Sequence, residues 1–281
     1  MKNQGAGGGS TILDEIAGKT RIRVAKAKEA VPFAQVCEQA LESAARQKTG
    51  SESVLPGSLP LEQALAAPGL SFICEVKKAS PSKGIIAEDF PYLKIAGEYE
   101  AAGAAAISVL TEPEYFLGSD RFLSEIAAKV KIPVLRKDFI VDPYQIYEAK
   151  LLGAQAVLLI AALLDTQTLA GYIKIAGDLG LSSLVEIHNE AEAEQALTAG
   201  ARIVGINNRD LKTFRVDPGV TFRLNKLIPE DIFTVAESGI TSPDDIRALK
   251  KTGVKAVLIG ESLMRAANKK QFIGELKAAY I

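Results

Sequence analysis

The chain has 281 residues, 48% hydrophobic and 24% charged, and its 33 Lys and Arg against 34 Asp and Glu leave a formal net charge of -1. That near balance excludes the basic excess by which proteins hold nucleic acid or an anionic membrane surface, and the length suits one large domain or two small ones. Two cysteines, Cys37 and Cys74, and one histidine, His188, are too few for a disulfide framework or a Cys/His zinc site.

Residues 1–10, MKNQGAGGGS, read as a flexible Gly-rich N-terminus without the apolar stretch of a signal peptide. From 11 to about 48 the pattern is helical. Ile12, Leu13 and Ile16 recur on one face, Thr11 is placed to cap, and Pro32 divides the stretch in two. A Ser/Gly/Pro-rich link (50–60) precedes a short helical pattern around 61–67.

Beyond Gly69, eight short apolar runs alternate with amphipathic stretches: SFICEVK (71–77), AAISVLT (105–111), IPVLRK (132–137), AVLLI (156–160), SLVEI (183–187), RIVGIN (202–207), IFTVAE (232–237) and AVLIG (256–260). Gly103, Gly153, Gly200 and Gly253 stand where a left-handed cap would stop the preceding helix. Apolar strands with helical crossovers make a parallel sheet covered by helices. Eight such units favour closure, so the expected fold is α/β, a (β/α)8 TIM barrel with an N-terminal helical extension, which typically needs about 250 residues. One barrel domain is expected over 11–281, with the N-terminal helices at about 11–68. The longest apolar run, 156–164, falls well short of the roughly 20 residues that span a bilayer. A cytoplasmic protein with reduced thiols is expected, a monomer or a weak homo-oligomer.

Polar residues in such a barrel belong at the C-terminal ends of the strands, where active sites are built. Glu75 and Lys77 share one face at the end of the first run; Lys137 ends the third, Glu186 the fifth, Asn207 the sixth and Glu237 the seventh. One strand-end charge can simply be solvated; six from five strands point to function. The seventh and eighth strands run into Glu237-Ser238-Gly239 and Gly260-Glu261-Ser262. Such turns let backbone N–H groups approach an anion, and barrels often hold phosphate there. A lone His188 at a strand end is more often structural than catalytic. Cys74 has the opposite parity to Glu75 and should face the helices. Arg209 can clamp an anion or pair with Asp210, and the clamp is favoured.

CEVKKASPSKG, SVLTE followed by YFLGS, LRKDFI, LLI, LVEIH, GINNRDL, ESGI and IGESLM occur in this order. Together with the N-terminal ILDEI segment they closely resemble the indole-3-glycerol-phosphate synthases of tryptophan biosynthesis, from about Ile12 to about Leu263. The resemblance implies ring closure, decarboxylation and dehydration of 1-(2-carboxyphenylamino)-1-deoxyribulose 5-phosphate to indole-3-glycerol phosphate, CO₂ and water, with no metal or organic cofactor. It implies helices near the active-site mouth. By motif, the implied catalytic set is Lys137, Glu186, Lys77 and Glu75, with Asn207 supporting. Ser80, Phe116, Phe139, Arg209, Glu237 and Ser238 would line the substrate, and Gly239, Gly260 and Glu261 would hold its phosphate. Gln155 departs from the family's usual Asp, at the expected bottom of the barrel.

Ring closure onto a ketone needs a proton for the developing alkoxide, which suits a lysine ammonium. Dehydration suits carboxylates. Three other readings remain. A phosphoribosylanthranilate-isomerase-like enzyme would need Cys74 inside the barrel, a Schiff-base lyase would use Lys137 or Lys77 as nucleophile, and a phosphate-binding protein would have no turnover.

Overall fold

The eight apolar runs become eight strands in the computed structural model, which describes residues 11–48 and 58–280. The Gly-rich start and most of the expected link lie outside the described residues. The strands are β1 (Ser71–Val76), β2 (Ala106–Leu110), β3 (Val134–Lys137), β4 (Ala156–Ile160), β5 (Ser182–Ile187), β6 (Ile203–Asn207), β7 (Phe233–Glu237) and β8 (Ala256–Ile259). Each pairs in parallel with its chain neighbours and β8 pairs with β1, so the sheet closes into a barrel. Crossovers are helical: α4 (Tyr92–Ala101), α5 (Asp120–Lys129), α6 (Tyr144–Leu151), α7 (Thr166–Asp178), α8 (Glu190–Thr198), α9 (Gly219–Leu224) and α10 (Pro243–Leu249). After β8 come α11 (Glu261–Arg265) and α12 (Lys269–Ala278). No helix among the described residues is long and apolar enough to cross a membrane.

Alternation along β1 sorts its side chains. Phe72, Cys74 and Val76 join the apolar layer between sheet and helices, whereas Ile73 joins the barrel interior with Leu135, Leu158, Leu184, Val235 and Leu258. The expected glycine caps have φ of 79° at Gly103, 85° at Gly153, 85° at Gly200 and 79° at Gly253, the left-handed conformation that ends a helix at low cost. A fifth cap, Gly180 at 74°, was not expected.

The N-terminal extension divides between the barrel's two ends. α1 (Ile12–Ala30) starts with a reciprocal Thr11–Asp14 capping box. It stops where Val31, preceding Pro32, is forced into extended backbone, and α2 (Phe33–Lys48) follows. α1 sets Ile12, Leu13 and Ile16 over the C-terminal mouth, as the resemblance implies. α3 (Pro60–Leu65) does the opposite. Its Leu61 and Leu65 enter the interior cluster, and the Leu61 N–H donates to Ser182 Oγ at the start of β5, at 3.1 Å, so α3 plugs the N-terminal end. Gln155 also lies at that end, its Oε1 accepting the Val134 N–H at 2.9 Å. A small antiparallel hairpin, Ala79–Ser80 with Gly84–Ile85, follows β1 and carries Ser80 to the mouth.

Candidate active site

Parallel register brings the strand ends to one rim: Lys137 pairs with Leu110, Glu186 with Ile160, and Asn207 with Glu237. There they surround a cavity of about 880 Å³, and all fourteen residues expected at the site line it. Leu110, Leu158, Ile160 and Leu258 form its apolar floor.

Two ion-pair groups occupy that floor. Lys137 Nζ lies 2.9 Å from Glu186 Oε2 and 3.3 Å from Glu237 Oε2, while Lys77 Nζ lies 2.5 Å from Glu75 Oε1. Burial alone would lower the Lys137 ammonium, but the Glu186, Glu237 and Glu75 carboxylates outweigh it and hold it well above the ordinary lysine range. Burial likewise pushes Glu186 up, yet Lys137 and His188 hold it well below the usual carboxylate range. Glu237 goes the other way. Burial raises it, the pull of Lys137 is partly cancelled by Glu186 and Glu75, and it is pushed up to about 7. Its Oε1 is buried and accepts no hydrogen bond among the described residues. One lysine thus serves two carboxylates that differ in proton affinity.

Backbone room for these side chains comes from two glycines. A Cβ on Gly205 would collide with Glu237 Oε1, and one on Gly260 would collide with Glu75 Oε1 and approach Lys77 Nζ to 2.8 Å. Gly260 was expected to clear space for phosphate; the structure shows that it first clears space for Glu75. In the same corner Ser238 and Gly239 have φ of 64° and 87°, and Ser262 Oγ donates to the Ile240 carbonyl at 2.8 Å, tying the last two loops together. Glu261 is gripped by Arg265 at 3.1 Å.

Loop geometry sets the remaining lining residues. The Glu112 carboxylate accepts the N–H groups of Glu114, Tyr115 and Phe116 at 3.0, 2.7 and 3.1 Å, folding the loop that presents Phe116. The Phe116 and Phe139 rings stand 6.0 Å apart at 40°. Asp138, buried beside Lys137, accepts from Arg23 Nη2 at both carboxylate oxygens, at 2.7 and 2.9 Å, and from the Thr111 hydroxyl at 2.6 Å. Arg136, 1% exposed, pairs with Glu148 at 2.7 Å and Asp120 at 2.9 Å. Buried Asn208 donates to the Ser238 carbonyl at 3.0 Å and accepts from Thr221.

Glu112, Asp138, Arg23 and Asn208 were not foreseen as site-shaping residues. A signal existed for one: the alternation that turns Lys137 inward turns Asp138 into the helix layer, where a charge requires a partner. Arg209 lines the cavity with its Nη1 donating to the Phe214 carbonyl at 3.2 Å, while Asp210 instead accepts the Lys212 and Thr213 N–H groups. Cys74 is buried among helix-facing residues and pushed up to about 12 by burial, away from the cavity. His188 stands behind Glu186 and does not line the cavity.

The barrel resembles that of 3-hexulose-6-phosphate synthase from Salmonella typhimurium, with a TM-score of 0.62 at 15% identity over 75% of this chain and 98% of that one, a likeness of fold alone. In sequence the chain is 55% identical over 268 residues to the indole-3-glycerol phosphate synthase of Ruminiclostridium cellulolyticum, covering 95% of this chain and 99% of the relative. It is 52% identical over 266 residues to that of Endomicrobium trichonymphae, covering 95% and 99%. A model of the indole-3-glycerol phosphate synthase family matches residues 13–276. With its polar barrel mouth and this match along nearly its whole length, the chain belongs to the indole-3-glycerol phosphate synthase family.

Proposed function

We propose that the chain closes an indole ring, converting 1-(2-carboxyphenylamino)-1-deoxyribulose 5-phosphate into indole-3-glycerol phosphate, CO₂ and water as a cytoplasmic carboxy-lyase of tryptophan biosynthesis. The observation that carries this reading is the Lys137 ammonium, charged between two glutamates at the bottom of the cavity. The substrate phosphate lies against the backbone N–H groups of Gly239, Gly260 and Glu261, beneath Ser238. The aminobenzoate ring packs on Phe116 and Phe139, and its carboxylate is oriented by Lys77 and Arg209. Ser80 and Asn207 bind substrate hydroxyls.

The ring carbon bearing the carboxylate attacks the ketone carbon, forming the new C–C bond. The carbonyl π electrons move to oxygen, which takes a proton from Lys137. An alkoxide is far more basic than an amine, so this transfer is downhill even from an ammonium that its neighbours stabilise. The bond to the carboxylate then breaks, CO₂ leaves, and the electron pair left behind restores the aromatic ring. Dehydration removes one carbon-bound proton to Glu186 while the Lys77 ammonium, held by Glu75, protonates the departing hydroxyl, which leaves as water. The proton on Glu186 returns to Lys137 across their 2.9 Å contact, and solvent recharges Lys77. Glu237, titrating near neutrality, hydrogen-bonds substrate oxygen from its otherwise unpartnered side.

The competing chemistries fit less well. A Schiff base requires a neutral amine, and two carboxylates keep Lys137 charged. An isomerase using Cys74 requires that thiol in the cavity. Indole fluorescence tests the reading directly: the purified chain should form product from the carboxyphenylamino sugar phosphate and continue to do so after exhaustive chelation. A folded protein without product would overturn the assignment, and activity lost to a chelator and restored by Zn²⁺ or Mg²⁺ would overturn the metal-free mechanism.

A further inference from the structure

His188 is the chain's sole histidine, and the steps above give it no task. Its Nδ1 lies 3.0 Å from Glu192 Oε2, and the same oxygen accepts the His188 backbone N–H at 2.7 Å. The other Glu192 oxygen accepts from Asn189 Nδ2 at 2.7 Å, and the Glu192 N–H donates to Asn189 Oδ1 at 3.0 Å. Glu192 is therefore fixed in the first turn of α8. A carboxylate only accepts, so Nδ1 carries a hydrogen. On the opposite ring edge, Nε2 is buried without a hydrogen-bond partner and stands 3.4 Å from Glu186 Oε1. The other Glu186 oxygen is the one that Lys137 holds at 2.9 Å. A bare Nε2 would set two acceptors against each other at 3.4 Å and leave the buried nitrogen without a donor. A proton on Nε2 removes the conflict.

We propose that His188 is a positioning residue for the base of this reaction: an imidazolium clamped between Glu192 and Glu186 that keeps the Glu186 carboxylate ionised and turns its Lys137-bound oxygen into the cavity. This rests on the reading of Glu186 as the group that accepts the dehydration proton. The charged groups facing the ring are Glu186 from β5 and Glu192 from α8; those facing Glu186 are His188, Lys137 from β3 and, across the shared Lys137, Glu237 from β7. Burial disfavours the imidazolium, but the two carboxylates outweigh it and raise the ring to about 10. Glu186 thus has a cation on each oxygen, one in the cavity and one behind it. Replacing the rear cation by a neutral group raises the proton affinity of Glu186, whereas a histidine that merely filled space would leave that affinity unchanged.

Because the chain has one histidine, its imidazole can be read without assignment in ¹⁵N-labelled protein lacking a histidine tag. Both ring nitrogens should stay protonated from about pH 6 to about pH 9, and Glu192→Gln should bring the ring's titration down into that range. A neutral wild-type ring near pH 7 would overturn the proposal. In His188→Gln, which keeps an amide donor but no charge, the acid limb of kcat should move up by about one pH unit or more, with KM changed less than kcat. An acid limb that stays at its wild-type position would overturn the positioning role. The spectroscopic arm needs no turnover. An imidazolium in a chain without synthase activity would overturn the activity reading and leave the clamp standing, and a neutral ring in an active enzyme would do the reverse.

Discussion

Gly260 and Gly205 show how much of the arrangement at the barrel mouth is set by side chains that are absent. Each lies under a glutamate oxygen that a Cβ would displace. Gly260→Ala should therefore lower kcat by disturbing Glu75 and Lys77, not merely raise KM through the phosphate. Steady-state kinetics with circular dichroism as a folding control distinguish these, and a raised KM with unchanged kcat would restore the phosphate explanation. From the sequence Gly260 was legible as a special position but not for this reason, since a turn glycine does not announce which side chain crosses it. Glu237 yields a pH prediction at the same scale. Its folded-state value, about 7, is raised above the 4.5 of an ordinary carboxyl, so its contribution to stability is fully present below about 4.5 and lost as pH rises through about 7. Glu237→Gln does not titrate. Its Tm relative to wild type should climb between about pH 5 and pH 8, by the equivalent of about 3 kcal/mol at most. A constant difference across that range would contradict the shift.

Among the elements, the join between α1 and β3 matters most to the site. Arg23 reaches from α1 to Asp138, which follows Lys137 directly and precedes Phe139, while Arg136 anchors the other side of the strand end. Removing one partner of a buried ion pair leaves an uncompensated charge, which costs roughly 3–5 kcal/mol. Asp138→Ala should lose stability of that order in thermal or denaturant unfolding. Arg23→Ala should cost less, because Arg23 is partly exposed, and should raise KM as α1 loosens over the mouth. A KM equal to wild type in Arg23→Ala would show that α1 does not need this tie. The helical character of α1 and the break at Pro32 were legible from periodicity and proline chemistry. The Arg23–Asp138 tie was not, because periodicity reports the face of a helix and not the strand end it meets. The hairpin after β1 escaped for a simpler reason: two-residue strands are too short to display alternation.

For the whole molecule, closure and polarity of the barrel separate stability from chemistry. Eight apolar runs each became a strand with ends within two residues of expectation, because continuous apolar runs bounded by turn residues are the imprint of a buried parallel sheet. The resemblance implies N-terminal helices near the mouth, which holds for α1, whereas α3, which plugs the bottom through Leu61 and Leu65, was not legible. Leu61→Ala should accordingly destabilise by about 2–5 kcal/mol and leave kcat and KM near wild type at temperatures where it is folded; a selective loss of kcat would mean that the two ends are coupled. Lys137, the ammonium held by Glu186 and Glu237, is the proposed general acid. The most direct test of that role is the kcat for indole-3-glycerol phosphate formation in Lys137→Met, with Cys74→Ser measured alongside and circular dichroism confirming both folds. Lys137→Met should lose at least about 10²–10⁴-fold, and Cys74→Ser should change little. Near-normal turnover in Lys137→Met, or an essential Cys74, would contradict that role.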